Sequence, residues 1–355
     1  MNLTHLLKVF GISTTLSVAA VLSFSSCNSF IFDNEGDCTL HYRLKFRYDM
    51  NLKWADAFNS EVRSVRVYAF DRNEAFVREY VVNTGLSDPN FAIDLDLDPG
   101  VYHLVAWCGI DNEGVTRQSF SAPQATSLRL KDLDCQLNCN LSKAPNQAVS
   151  DQHLQFMYWG ELDIEILQSD EFGGYRYFTM PLIKDTNHLR VNLVQLSGEN
   201  TDVEDFTYSI EATNGVMNYE NKLTGDMTIT YLPWNLQNAV ADVETGYTNG
   251  VITTQTAIAD LDLSRFTTGQ SESMKLTIRN TNNNEVVASI PVIQYALLAK
   301  EYYEFAYAHE MTDQEFLDRE DEYEMTFFLD RNLRWISSFI YINSWRIVLN
   351  GYELN

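Results

Sequence analysis

Cations are scarce in this chain of 355 residues: 25 Lys+Arg stand against 49 Asp+Glu, a formal net charge of −24. Nucleic-acid binding draws its affinity from clustered cations that track phosphates, so this balance argues against nucleic acid as a partner. Charged residues of either sign make up only 21%, whereas the hydrophobic set reaches 45% and the aromatics 13%. That much apolar surface offsets chain entropy and excludes wholesale disorder. Proline (7) and glycine (16) are few, and the abundance of Tyr, Phe, Val, Ile and Thr leans towards strands. Beyond the N-terminus no apolar run approaches the ~20 residues that a membrane-spanning helix needs.

Chemistry is also missing. There is no Gly-x-Ser-x-Gly elbow, no His-Glu-x-x-His helix and no Gly-rich phosphate loop. The 6 histidines lack partners at catalytic or ligand spacing. Carboxylate pairs ~5 to 10 Å apart suffice for glycoside hydrolysis, but among 49 acids no local pattern selects one. Asp94, Asp96 and Asp98 share one strand face, yet Ca²⁺ wants six or more oxygens from convergent loops, so a solvated face is expected. Asp318-Arg319-Glu320-Asp321-Glu322 lacks the Gly and spacing of an EF-hand and reads as a hydrated, self-repelling surface. The expectation is a non-enzyme with no cofactor and no metal.

What is present begins at the N-terminus. A short n-region ending at Lys8, the apolar run Val9 to Phe24 and the small residues Ser25-Ser26 before Cys27 read as a secretory signal. The run is too short to span a bilayer. Two small residues and a Cys directly after the h-region look like a bacterial lipobox, with residues 1–26 removed and Cys27 acylated. Phe24 replaces the usual Leu of that motif, and ordinary cleavage leaving a free Cys27 is the alternative. Of the 5 cysteines, Cys38, Cys108, Cys135 and Cys139 remain after Cys27, admitting two disulfides in any of three connectivities. Their spacing matches no zinc pattern, and Cys108, inside Val105-Ala106-Trp107, reads equally well as a core thiol.

Strand signals then recur along the chain. From Thr39 to Asp49, Leu40, Tyr42, Leu44, Phe46 and Tyr48 alternate with polar residues. Met50 to Phe58 fits one or two helical turns. Ser64 to Phe70, Ala75 to Val82 and Phe91 to Asp98 read as strands, and Val101 to Trp107 as a more fully buried one. Pro99-Gly100 fits a tight turn in which Gly takes a positive φ, so Gly100→Val is expected to destabilise. Ser150 to Met157, Gly160 to Leu167 and Tyr175 to Ile183 continue the series. His188 to Leu196 alternates much as Leu40 to Tyr48 did, which suggests two sandwiches of similar plan meeting at Asp185-Thr186-Asn187. The domains are therefore set at 27–185 and 186–355. In the second, Phe206 to Ala212, Met227 to Tyr231, Met274 to Arg279 and Val286 to Gln294 are strand candidates. Thr201 to Glu204 and Gln237 to Gly250 are expected as polar loops, and Ala296 to His309 as a helix or long extended element. At the end, Arg334 to Leu349 is apolar on both faces and must be buried in its own sheet or paired to another subunit.

Several runs resemble the fimbrial anchor lipoproteins (FimB-type) of Bacteroidetes type V pili. They are Ser26-Cys27-Asn28-Ser29-Phe30-Ile31-Phe32-Asp33, Phe46-Arg47-Tyr48-Asp49-Met50-Asn51, Ala55-Asp56-Ala57-Phe58 and Leu97-Asp98-Pro99-Gly100-Val101-Tyr102, with Glu315 to Tyr323 and Ile340 to Ile347 near the other end. The resemblance implies an all-β fold of two tandem transthyretin-like (Greek-key) β-sandwich domains. It also implies outer-membrane attachment through lipidated Cys27 and surface exposure as part of a fimbria, joined to a stalk subunit by strand exchange. In the family's stalk subunits, cleavage after an early Arg removes an N-terminal strand and opens a groove. Here Arg43 and Arg47 lie inside an alternating strand, a poor protease substrate, so that strand is expected to stay and contact with the stalk to pass through the other end. Trp335, Ile340, Tyr341, Ile342, Trp345 and Ile347 are the strand-exchange candidates, with simple closure of the second sandwich as the rival reading. The alternative function is a surface glycan-binding lipoprotein, for which Trp159 and Trp234 are candidate stacking platforms.

Overall fold

The computed structural model describes residues 40–123, 129–142, 146–168, 173–197, 201–245 and 250–349. Of these, Leu40, His41 and residues 173–176 belong to a small unit and the rest to a large one. In the small unit the rings of His41 and Tyr175 lie 5.5 Å apart. Strand dominates, in five sheets among the described residues, so the all-β expectation holds.

The strand Leu40–Arg47 buries Tyr42, Leu44 and Phe46 on one face, as its alternation predicts. It belongs to a three-stranded sheet with Gly174–Pro181 and Ile93–Leu95. On the wet face Arg43 pairs with Asp94 at 2.5 Å, and Arg78 reaches Asp96. A five-stranded sheet follows the order Ile183–Lys184, Tyr158–Ile166, Gly100–Cys108, Val65–Asp71, Phe76–Val82. Its central strands are dry on both sides. On one side the Tyr158 ring meets Tyr48 edge-on at 4.9 Å. On the other, Tyr68, Phe70, Val105 and Trp107 share a core with Phe120, Leu133, Cys135 and Leu137. A strand covered on both faces loses its polar positions, which is why Val101 to Trp107 reads as a continuous apolar run. Cys108, Cys135 and Cys139 are free thiols; burial pushes Cys139 up to about 11. Cys27 and Cys38 lie outside the described residues.

The turn before this strand differs from expectation. Gly100 is already in the strand, its φ is not positive, and a Cβ there would meet only the Tyr102 ring at 3.4 Å or more. The glycine that the backbone requires is Gly109 at the strand's far end: its φ is +88°, and a Cβ would sit 1.9 Å from the Phe156 carbonyl oxygen. Gly109→Ala is expected to cost about 2–4 kcal/mol, read from the urea midpoint, while Gly100→Val costs far less.

Two six-stranded sheets enclose the rest of this core, which continues through both halves of the chain. One runs Val286–Pro291, Lys275–Asn280, Phe206–Ala212, Thr228–Tyr231, Gln147–Ser150, Asn140–Leu141. The other runs Asn235–Thr245, Gly250–Ser264, Thr186–Gln195, Glu322–Leu329, Phe339–Ile342, Trp345–Val348. Between them pack Tyr208, Ile210, Leu276 and Ile278 from the first and Leu189, Val191, Leu261, Met325 and Phe327 from the second. Pairing crosses the chain division at 185/186, since Gln147–Ser150 runs parallel to Thr228–Tyr231 and Asp134–Leu137 pairs with Val216–Asn218.

Two expectations are corrected here, and a third, the helix or extended element at Ala296 to His309, is settled as helix. Gln237 to Gly250 is no loop: most of it lies in Asn235–Thr245, which pairs along its length with Gly250–Ser264. Ala296 to His309 falls in two helices, Val292–Leu297 and Lys300–Tyr307. The acidic run is a hydrated surface only in part: Glu322 is exposed, but Glu320 is buried and Asp318 and Asp321 are half-buried. Helix Asp313–Arg319, capped by the Thr312 hydroxyl, buries Phe316 and Leu317 and turns the acids inward, where Asp318 pairs with Arg265 and Asp321 with Lys184. Buried cations make buried carboxylates tolerable.

Candidate functional site

The C-terminal end of the second sheet is built around a hairpin. Arg334 to Leu349 is not one long strand; it folds back at Asn343 and Ser344, whose φ values of 46° and 70° are those of a two-residue type I′ turn. Phe339–Ile342 pairs with Trp345–Val348, and Met325 and Thr326 pair with Ile342 and Tyr341. Asn343 fixes the turn: its side-chain amide donates towards the Tyr303 hydroxyl (3.1 Å), Glu320 Oε2 (3.2 Å) and the Glu322 carbonyl (3.1 Å), while its Oδ1 accepts from Glu324 N–H at 2.7 Å.

The candidate residues divide by face. Ile340 and Ile342 are fully buried and Ile347 is 7% exposed, all within the chain's own core. Trp335 bridges to Leu329 and packs edge-on against Phe327 at 5.2 Å. On the outer side Tyr341 joins Phe328 (5.5 Å) and Phe339 (6.3 Å), with the Arg346 guanidinium 4.8 Å above the Phe339 ring. Trp345 is exposed and stacks on Tyr302 of the helix Lys300–Tyr307, centroids 4.8 Å apart. The strand Trp345–Val348 is the last in its sheet. Sequence reasoning missed Tyr302, because nothing local ties a helix residue to a strand more than forty positions later.

Next to the turn lies an open cleft of about 420 Å³, lined by His188, Arg190, Glu320, Glu322, Glu324 and Asn343 among others. Burial pushes the Glu320 carboxyl up to about 7, against hydrogen bonds from Glu322 N–H and Tyr303 that favour the ion. Burial and the Asp321 charge raise Glu322 as well. At the far side, Asp262 accepts from His153 (2.6 Å), His188 (2.7 Å), Leu154 N–H (2.8 Å) and Trp234 Nε1 (3.0 Å). Burial disfavours the His188 cation, but Asp262 and the neighbouring acids hold its pKa above the ordinary value. Trp234 is thus committed to Asp262 and to the His153 ring 4.4 Å away. Trp159 is 9% exposed and donates to the Tyr219 carbonyl. Neither indole is a free stacking platform.

Glu320 predicts a pH dependence. A folded pKa of about 7 against the ordinary glutamate value of 4.5 means that the folded state holds the proton more tightly between those values. Stability therefore falls as pH rises through that window, by roughly 3 kcal/mol at most. Urea midpoints at about pH 5 and about pH 8 should show the fall in the natural protein and a smaller one in Glu320→Gln; equal falls would show that another group carries it.

Paired sheets packed face to face, one of them ending in the C-terminal hairpin, define an all-β sandwich architecture. A candidate adhesin of Bacteroides thetaiotaomicron superposes with a TM-score of 0.74 at 31% identity, over 89% of this chain and 100% of that one. A candidate polysaccharide-binding protein of the same organism gives 0.71 at 23% identity, over 88% and 99%. The fimbrial anchor protein Mfa2 of Porphyromonas gingivalis shares the fold at 0.62 and 14% identity, over 88% and 99%. No curated protein matches. Residues 34–351 match the model of the fimbrillin-A associated anchor proteins Mfa1 and Mfa2, and the chain belongs to that family. Membership carries a fimbrial accessory or anchor role at the cell surface, with a fimbrial partner, and the family is structural rather than enzymatic. Among the described residues no helix is long and apolar enough to cross a membrane.

Proposed function

We propose that this protein is an outer-membrane lipoprotein that anchors a fimbria or serves as its accessory subunit, and that the stalk subunit joins it by strand addition at the C-terminal edge. Cys27, freed by removal of residues 1–26, carries the acyl chains. Each buried methylene adds ~0.8 kcal/mol, so several chains hold the body to the membrane. Two sandwiches divide near 185/186, with Gln147–Ser150 lent to a sheet of the second and Val216–Asn218 pairing back onto Asp134–Leu137 of the first. The first keeps its N-terminal strand, which supports a filled groove there: Leu40–Arg47 is paired, with Arg43 bonded to Asp94.

The observation that carries the reading is the position of Trp345–Val348, last in its sheet with Trp345, Arg346 and Val348 exposed. An exposed edge offers main-chain donors and acceptors to an extended partner segment, and alternating side chains supply specificity. Strand exchange in this form leaves Ile340, Ile342 and Ile347 in the chain's own core and uses Trp345 and Tyr341 as flanks. Val348→Pro tests it, because proline cannot donate to an added strand. Cells carrying Val348→Pro should shed fimbriae into the medium while the protein stays folded and membrane-bound. Fimbriae retained as before would overturn the edge, and Cys27→Ala protein still pelleting with membranes would overturn the lipid anchor.

A further inference from the structure

Side chains from three distant parts of the chain converge where its two halves meet. Lys184 ends the short strand Ile183–Lys184, which pairs with Tyr158 and Trp159. Asp321 precedes the strand Glu322–Leu329, and its carbonyl accepts from His188 N–H at 2.8 Å. Glu61 ends the helix Phe58–Glu61. The Lys184 Nζ donates to the Asp321 carboxylate, 137 positions away, and Glu61 Oε2 stands 3.9 Å from the same nitrogen. The Tyr158 hydroxyl donates to that oxygen at 3.3 Å, while Lys53 takes the other at 2.8 Å.

Such a setting is rare for a lysine. Its side chain is 3% exposed, and the Phe156 ring centre lies 3.5 Å from the amine nitrogen. The lysines of the pairs Lys53–Glu61, Lys222–Glu220 and Lys300–Asp313 all keep contact with water. A buried ion pair forfeits the hydration of both charges, so transfer of the proton to give a neutral amine and a neutral acid is far easier here than at the surface. Arg265, which holds the buried acids Asp185 and Asp318, keeps its proton and cannot follow that course. A neutral amine touching a neutral carboxyl, with a second carboxylate beside the nitrogen, is the set of groups that amide formation needs.

We propose that Lys184 and Asp321 become joined by an isopeptide bond, with Glu61 as the proton carrier. The Lys184 ammonium first gives one proton to the Asp321 carboxylate. The freed amine then attacks Asp321 Cγ. As the C–N bond forms, Glu61 takes a second proton from the nitrogen and returns it to the hydroxyl leaving Cγ, so that the C–O bond breaks and one water departs. Nothing is oxidised or reduced, and Glu61 ends as it began. A cavity of about 180 Å³, lined by Lys184, Asp321, Phe156 and His188 among others, gives that water an exit. Holding the two groups in contact within the folded chain replaces a chance encounter and lets a slow condensation proceed. If the membrane holds Cys27 and the stalk pulls on the C-terminal edge, as proposed above, the bond passes tension from residue 184 straight to residue 321 and shields the segment 185–320. The bond itself stands on the three side chains and is independent of that reading.

Trypsin digestion of the denatured full-length protein, followed by mass spectrometry, tests it. Trypsin does not cut at an acylated lysine. The bond therefore predicts a branched species in which Tyr177–Arg190 is joined to Glu320–Arg331, lighter by one water than the two peptides together. Fragment ions should place the link at Lys184 and Asp321. Lys184→Arg, which keeps a cation beside Asp321, should abolish the species, as should Asp321→Ala. Glu61→Gln should slow linkage at least about a hundredfold and leave freshly made chain unlinked, whereas Glu61→Asp, which keeps a carboxylate, should restore part of it. Recovery of Tyr177–Lys184 and Glu320–Arg331 only as separate peptides from the natural protein would mean an ion pair and overturn the bond. Equal linkage in Glu61→Gln and Glu61→Asp would overturn the role of Glu61.

Discussion

A chain ending at Asp330 is expected not to fold. The segment it lacks supplies Ile340 and Ile342, both fully buried, and Ile347, 7% exposed, to the core between the two six-stranded sheets. It also uncovers Phe327, against which Trp335 packs, and Met325, which pairs with Ile342. Burying an isoleucine is worth about 1.5–3 kcal/mol, so the three together approach the 5–15 kcal/mol that holds a whole domain. Far-UV circular dichroism and limited proteolysis of the truncated protein should report an unfolded second half. A soluble, protease-resistant product would mean that the hairpin is a detachable donor, the reading that its burial disfavours.

Arg265→Ala should be nearly as damaging, for a different reason. The Arg265 guanidinium, 8% exposed, bonds Asp185, which is fully buried, and Asp318 at 3.1 Å. Burial raises the pKa of both carboxyls, and Arg265 is what favours their ions. Removing it strands two buried acids at a cost of about 3–5 kcal/mol. Without the cation they keep protons in the folded state that they release on unfolding, so the variant's deficit should grow as pH rises above the carboxylate range. Thermal melts across that range test this, and Asp185→Asn combined with Arg265→Ala should recover part of the loss. A deficit independent of pH would point to lost packing alone.

How far the sequence could be read depended on whether a signal was local. Leu40–Arg47 and Phe206–Ala212 were legible because each has one wet and one dry face, and a period of two shows that contrast. Gln237 to Gly250 was not, because Asn, Gln, Ala and Thr on both faces leave no contrast to detect. The acidic run misled for a third reason. Whether Asp318 and Asp321 are hydrated or buried is decided by Arg265 and Lys184, residues distant in sequence. Gln147–Ser150 was invisible as a strand of the second sandwich, since parallel pairing with Thr228–Tyr231 leaves no turn between them to recognise. Of the candidate site, the apolar character of Ile340 to Ile347 was plain. The turn at Asn343, the sorting of faces and the role of Tyr302 came only with the fold.

The parallel pairing of Thr186–Gln195 with Glu322–Leu329 also governs how the molecule is made. Asn192 and Glu324, bonded across it, are 132 positions apart. Bringing such distant segments together costs loop entropy before any contact repays it, and chains rich in such contacts fold slowly. A polypeptide delivered N-terminus first therefore holds Thr186–Gln195 with one side unmatched until Glu322–Leu329 follows. The sheet between them closes late, and a chain stopped short of that strand leaves a bare apolar edge open to wrong pairing.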